Sequence, residues 1–275
     1  MTTRTEPVKI GRLFYRELAP RPSLDHLVFS FWEFTVRGDD PAPISHEIFP
    51  DGCISIIYRR NERLGIAGLV TTNLNKRTIV VPVFFGDIFW GMRLSPAACA
   101  GILGSDPAQM EHHLWTDEVG VTEYGLLDRE LLRELATAST LDEAASIFER
   151  RLFGLKIDRA EIDAQVLAAV TLIEVNRGEI RIAAVAEEVS LSVRQFERRF
   201  KKCSGLTPKQ YARTRRLRAA AVVLAGDEPI NWADRAAELG FADQAHLTHE
   251  FTAITGRSPK SLARKVKSIE HGNLE

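Results

Sequence analysis

Two stretches of this 275-residue chain repeat one another at a fixed spacing. Phe200, Gly205 and Pro208-Lys209 return as Phe251, Gly256 and Pro259-Lys260, each 51 residues further on. Ala186-Glu187 returns as Ala237-Glu238 at the same offset. An offset kept across apolar anchors, a glycine and a proline implies two copies of one supersecondary unit. Whatever fold the chain adopts must hold that unit twice in its last hundred or so residues.

The first copy is the more explicit. Val193 to Lys202 reads VRQFERRFKK, with Phe196 and Phe200 four apart on one helical face. Ser192 stands where a hydroxyl can cap the first turn. The preceding IAAVAEEVSLS is amphipathic, with Val185 and Val189 on one side. Two helices separated by so few residues form a helix-turn-helix, whose second helix can enter a DNA major groove. Arg194 to Arg218 holds ten Lys or Arg against one acid, Glu197. A solvated face mixes both signs, whereas a one-sided run suits a phosphate backbone.

FKKCSGLTP and FTAITGRSP share the pattern F-x(4)-G-x-[ST]-P, which resembles the paired helix-turn-helix domain of AraC/XylS-type transcriptional regulators. ELGFADQAHLTHEF is similar to that family's second unit, and the resemblance runs from about Ile162 to Arg264. FSFWEF, IFPDGCISIIY and FWGMRLSP resemble the amino-terminal domain of one branch of the family. The resemblance implies a β-rich effector or dimerisation domain over 1–155 and a double helix-turn-helix DNA-binding domain over 160–265.

The residues agree with that division. The fold class expected is α+β: a barrel or sandwich with helices, then an all-α domain of two units joined by a long helix. LVFSFWEFTV, HEIFPDGCISIIYRR, RTIVVPVFF and DIFWGMRL are rich in β-branched and aromatic residues and read as strands. Ser95-Pro96 reads as the start of a helix. Residues 106–154 read as helical, with one segment at Leu126–Leu135 and a second opened by the capping-box pattern Thr140-Leu-Asp-Glu143. Ile162, Val166, Val170 and Ile173 form the stripe of a helix that Gly178 ends. Pro208 opens the long connecting helix, and Gly226 to Pro229 breaks it. Residues 160–275 carry 18 basic and 15 acidic side chains, so the remainder of the chain is net acidic. Nucleic acid therefore belongs to the second part.

With Phe196 and Phe200 turned inward, Arg194, Glu197, Arg198 and Lys201 face out as base-reading candidates. Arginine can bind guanine O6 and N7, and glutamate can accept from cytosine N4. Lys202, Arg213, Arg215 and Arg216 are assigned to phosphates, which position without specifying. In the second unit Ala245, Thr248 and His249 match 194, 197 and 198, with Gln244 beside them. Asp227 to Ala253 holds six acids and one base, Arg235. Contact there is expected to be weak, or limited to a few hydrogen bonds and thymine methyls. His249 departs from the arginine common at this position in the family.

Phe31, Trp32, Phe34, Phe85, Phe89 and Trp90 are candidates to line a pocket for a small organic effector, with plain core packing the alternative. His46-Glu47 and His112-His113 lack the spacing of a metal centre, so no metal or other cofactor is expected. Cys53, Cys99 and Cys203 are scattered and read as reduced thiols, with Cys203 a candidate oxidation sensor against a packing role. Cys53 lies in a turn that would expose it and so raises the alternative of an alkyl-transfer repair enzyme, although no cation stands next to it in sequence. A further alternative is an architectural binder that bends DNA without choosing sequence. The chain is read as a regulator rather than an enzyme, cytoplasmic, without a membrane span. Its expected partners are double-stranded DNA, a small effector, RNA polymerase and a second copy of itself. The homodimer would form through 126–135 and 141–152.

Overall fold

The protein is described from a computed structural model, which covers residues 8–10, 12–39, 41–72, 74, 77–110, 114–116, 125–155, 162–224, 232–259 and 261. Its strands are β1 (Val8–Ile10), β2 (Leu13–Leu18), β3 (Val28–Val36), β4 (Ile44–Ile48), β5 (Ser55–Asn61), β6 (Ile66–Thr71), β7 (Ile79–Val83), β8 (Ile88–Leu94) and β9 (Leu114–Trp115). Its helices are α1 (Cys99–Leu103), α2 (Arg129–Ala136), α3 (Leu141–Gly154), α4 (Ala164–Val175), α5 (Ile182–Glu188), α6 (Val193–Ser204), α7 (Pro208–Leu224), α8 (Trp232–Glu238) and α9 (Gln244–Thr255).

Seven strands form one antiparallel sheet in the order β1-β2-β3-β8-β5-β6-β9, and β4 pairs with β7 in a separate two-stranded sheet. Strand alternation sorts the side chains. Phe31 lies opposite Met92, and Glu33 lies opposite Trp90, so these share one face. That face takes the helices: Phe31 stacks on Phe148 of α3 at 6.1 Å, and Arg60 donates to the Ala138 carbonyl. Trp32, Phe34 and Val36 point the other way, where Phe34 and Val36 meet Val83 and Phe85 under the β4–β7 sheet. The result is an α+β molecule whose amino-terminal part layers a small sheet, a large sheet and helices.

Local chemistry explains the helix boundaries. Asp128, Thr140, Asp163, Ser192 and Asp243 each accept a backbone N–H of the turn they precede. Gly178 closes α4 by donating to the Ile173 carbonyl at 2.8 Å.

HEIFPDGCISIIYRR forms two strands, with Asp51-Gly52 in the turn between Ile48 and Ser55, where the Asp51 carboxylate accepts from the Cys53 N–H. Three local expectations are corrected. Ser95 does not cap a helix: its N–H donates to Leu27, its hydroxyl is buried without a partner, and α1 starts at Cys99. Within 106–154, Leu114–Trp115 adds a strand to the edge of the sheet by pairing with β6. The Glu143 carboxylate accepts from Ser139 N–H rather than from the capping Thr140, so the capping box is offset by one residue. Gly226 to Pro229 lies outside the described residues, as does His112-His113.

One buried cluster runs without interruption from β-sheet residues such as Ile56 and Met92 through Phe148 to Val170, Phe196, Phe200 and Tyr211. The first helical unit thus shares its core with the β-rich part. The second unit has a core of its own, built on Leu217, Ala236, Leu247, Phe251 and Ile254.

Candidate nucleic-acid interface

Helices α5 and α6 meet through a tight turn in which Ser190 takes a positive φ of 56°. Ser192 and Gln195 then form a reciprocal capping box that fixes the start of α6. Phe196 and Phe200 are fully buried and meet edge to face at 5.6 Å. With that face anchored, Arg194, Glu197, Arg198 and Lys201 are all exposed. The sequence therefore placed all four on one open face of the helix.

Arg199 belongs to the same basic run but does something else. Its guanidinium holds Asp163 at 2.6 and 2.7 Å and Gln165 at 2.5 Å, and Gln165 in turn donates to the Val189 carbonyl. The cap of α4 is thereby tied to the turn before α6. Burial tends to raise the Asp163 pKa, but the Arg199 hydrogen bonds outweigh it and hold the carboxyl below its ordinary value. This residue was counted in the sequence only as one more positive charge. Its i+1 position beside Arg198, between the two buried phenylalanines, was the available signal.

The four phosphate candidates separate. Lys202 is exposed. Arg213 pairs with Glu250 of α9 at 2.5 Å. Arg216 lies over the Phe241 ring at 4.5 Å and donates to the Gly240 carbonyl. Arg215 bonds Glu174 at 2.5 Å and donates to the Asp51 carbonyl. The one-sided charge run is thus divided between an open face on α6 and internal ties on α7.

Helix α9 repeats the construction with different chemistry. Asp243 caps it, Leu247 and Phe251 are buried, and Gln244, Ala245 and His249 are exposed. With Thr248, Thr252 and Ala253 they line an open groove of about 760 Å³. His246 instead packs: its Nδ1 accepts from the Ala242 N–H and its ring meets Phe241 edge-on at 5.5 Å. Among the described residues no group of three potential metal ligands occurs.

The other candidates settle into the β-rich part. Phe31 and Trp90 lie on the helix-covered face of the sheet, where Trp90 stacks on Tyr58 at 5.7 Å and donates to Glu33. Trp32, Phe34, Phe85 and Phe89 gather on the opposite face, and Phe34 stacks on His46 at 4.5 Å. The two sets cannot line one pocket, because successive strand residues point to opposite faces. The Trp32 ring lies across Gly91 so closely that a Cβ there would come within 2.1 Å of it, and its indole N–H is buried without an acceptor.

Cys53 is buried, not exposed as its turn position implied. Burial pushes its thiol well above the ordinary value, and the Asp51 charge adds to the effect. That is the reverse of what a nucleophile needs. Cys203 is pushed up to about 11, chiefly by burial, which favours packing over oxidation sensing.

Residues 185–265 match the family described as "Helix-turn-helix domain", and residues 16–115 match "Domain of unknown function (DUF6597)". A curated relative, the HTH-type transcriptional activator RhaS of Escherichia coli (strain SE11), is 36% identical over 84 residues, which is 30% of each chain. The chain thus spans under a third of that relative's length. Among solved structures, a transcriptional regulator described by its AraC-type DNA-binding domain, from Chromobacterium violaceum, covers 37% of this chain and 91% of its own, at 25% identity and a TM-score of 0.34. ToxT from Vibrio cholerae covers 86% of this chain and 98% of its own, at 11% identity and a TM-score of 0.41. The helix-turn-helix match spans both copies of the unit that the 51-residue offset picks out, each with a capped, outward-facing second helix. Residues 185–265 thus carry a helix-turn-helix domain similar to the part of the transcriptional activator RhaS that this chain matches.

Proposed function

We propose that this chain is a sequence-specific DNA-binding transcriptional regulator, with a β-rich effector or dimerisation domain over 1–155 and the DNA-binding domain over 160–265. The observation that carries the reading is the open face of α6. Four cations, Arg194, Arg198, Lys201 and Lys202, and one carboxylate stand exposed on a helix whose opposite face is locked by two buried phenylalanines. Arg194 and Arg198 have the donors for guanine, and Glu197 has the acceptor for cytosine. Lys201 completes the reading face, and Lys202 meets phosphate beside it. Gln244, Ala245, Thr248 and His249 face the second half of the site.

A small organic effector would bind among Trp32, Phe34, Phe85 and Phe89, where the unpaired Trp32 indole offers a hydrogen bond. RNA polymerase and a second copy of the chain complete the partners, and the reading places the protein in the cytoplasm and outside enzymology. Among the described residues no helix is long and apolar enough to cross a membrane.

Selection of bound duplexes from a random pool, with the full chain, tests the proposal. A regulator yields a defined site, bound 10³-fold or more tighter than random DNA. A ratio near unity would instead identify an architectural binder. Repeating the selection with candidate aromatic and apolar compounds tests the effector.

A further inference from the structure

The two reading helices of this chain differ in kind, and the difference is electrostatic. Helix α6 presents Arg194, Arg198 and Lys201 with no acid but Glu197. Helix α9 has no Lys or Arg over Gln244–Thr255, and one carboxylate, Glu250. The structure removes that carboxylate from play, because Arg213 holds it at 2.5 and 3.2 Å. The same ion pair uses up the α7 cation that lies against α9. Arg257, just past the helix, is held by Glu47 of β4 at 2.8 Å. What α9 offers a ligand is an open groove walled by two alanines, two threonines, a glutamine and His249. Alanine and the threonine methyl make apolar contacts with the thymine C5-methyl, and glutamine matches adenine N6 and N7.

We infer that the two units divide the duplex between them, α6 anchoring phosphates and reading G·C pairs while α9 reads an A·T segment through methyl and amide contacts. This rests on the proposed DNA-reading role of both helices. The operator is then asymmetric. One segment is G·C-directed and the other A·T-directed. Helix α9 itself then adds little to the salt dependence of binding, in contrast to α6. Exposed Val193, the first residue of α6, adds one apolar contact at the edge of the G·C segment.

Selection from a random duplex pool, followed by salt titration of the best site, decides the matter. The selected sites should show both segments. Replacing thymines of the A·T segment with deoxyuridine should weaken binding about fourfold for each contacted methyl lost. Gln244→Ala and Thr248→Ala should weaken binding without changing the slope of log affinity against log salt. Arg198→Ala should relax one G·C position, whereas Lys202→Ala should reduce that slope by roughly 0.9. Ala245→Lys, at an exposed position, should raise it by a similar amount. A G·C segment beside a second segment of random or G·C-rich sequence would overturn the inference and leave the regulator reading intact. So would indifference to deoxyuridine. Failure to select any site would overturn both.

Discussion

Arg198 and Arg199 are neighbours with the same side chain and opposite employment. Arg198 is exposed on the open face of α6, whereas Arg199 turns back to hold Asp163 and Gln165. Arg198→Ala should cost roughly 1–3 kcal/mol of binding and relax one base position, measured by titrating single-base variants of the selected site. Asp163→Asn should act on folding instead. The depressed Asp163 pKa stabilises the native state above the ordinary carboxyl value. That contribution disappears as pH falls through the lower folded value. Wild type should therefore lose stability on acidification below about pH 4, near the ordinary aspartate pKa. Urea unfolding at pH 6 and pH 3 should show this loss in wild type and a smaller one in the variant.

At the scale of the element, β4 and the turn after it do more than their length suggests. His46 stacks on Phe34 of the aromatic cluster, and Glu47 pairs with Arg257 beyond α9. Phe49 packs on the core of the second unit. Asp51 holds Arg93 at 2.9 Å and faces Arg218 at 3.6 Å. This segment therefore touches the aromatic cluster, α7 and the second helical unit. Arg93 is deeply buried. Desolvation lowers its pKa, but Asp51, Tyr15 and Glu17 outweigh that and keep it charged. Removing one partner leaves the charge undercompensated, so Asp51→Asn should cost about 3 kcal/mol in urea unfolding, the low end for a broken buried pair. Gly52 has a φ of +76°, and an added Cβ would come within 2.7 Å of the Tyr211 ring. Gly52→Ala should cost about 1–3 kcal/mol for the strained backbone alone. Both variants test whether the turn is the hinge between the two parts: a loss of cooperativity by heat, with the β-signal and α-signal melting apart, is the expected result.

For the whole molecule, the shared core argues that the β-rich part and the first unit unfold together, while the second unit, with its own small core, opens more readily. Hydrogen exchange should protect Phe196 and Phe200 amides alongside those of β8, and protect α9 less. The same cores redirect the dimer question. Ile147, Phe148 and Leu152 are buried within their own chain, so they cannot form the apolar surface of a homodimer. Phe153 is 51% exposed on the same helix and is the residue that remains for one. Phe148→Ala should cost about 3–5 kcal/mol in urea unfolding. Phe153→Ser should cost under about 0.5 kcal/mol if the chain is a monomer. Light scattering of both at matched concentration separates folding from association.

The sequence by itself determined the repeat, the caps at Ser192 and Thr140, the outward face of α6 and the division into β-rich and helical parts. Each is a local pattern, set by the helical or strand period and by which residue can satisfy a free N–H. Only the tertiary structure decided how the charges were used. Arg199, Arg213 and Arg215 are basic in any reading of the chain, yet their partners Asp163, Glu250 and Glu174 lie 36, 37 and 41 residues away. The aromatic set was likewise legible as a composition but not as a place. One residue of register separates Phe31 from Trp32 and sends them to opposite faces of the sheet. Cys53 looked exposed because a turn precedes it, and is buried because that turn is the part of the sheet that docks on α7. Long-range pairing and burial at a junction leave no mark on a single chain read residue by residue, because neither partner's identity depends on its neighbours.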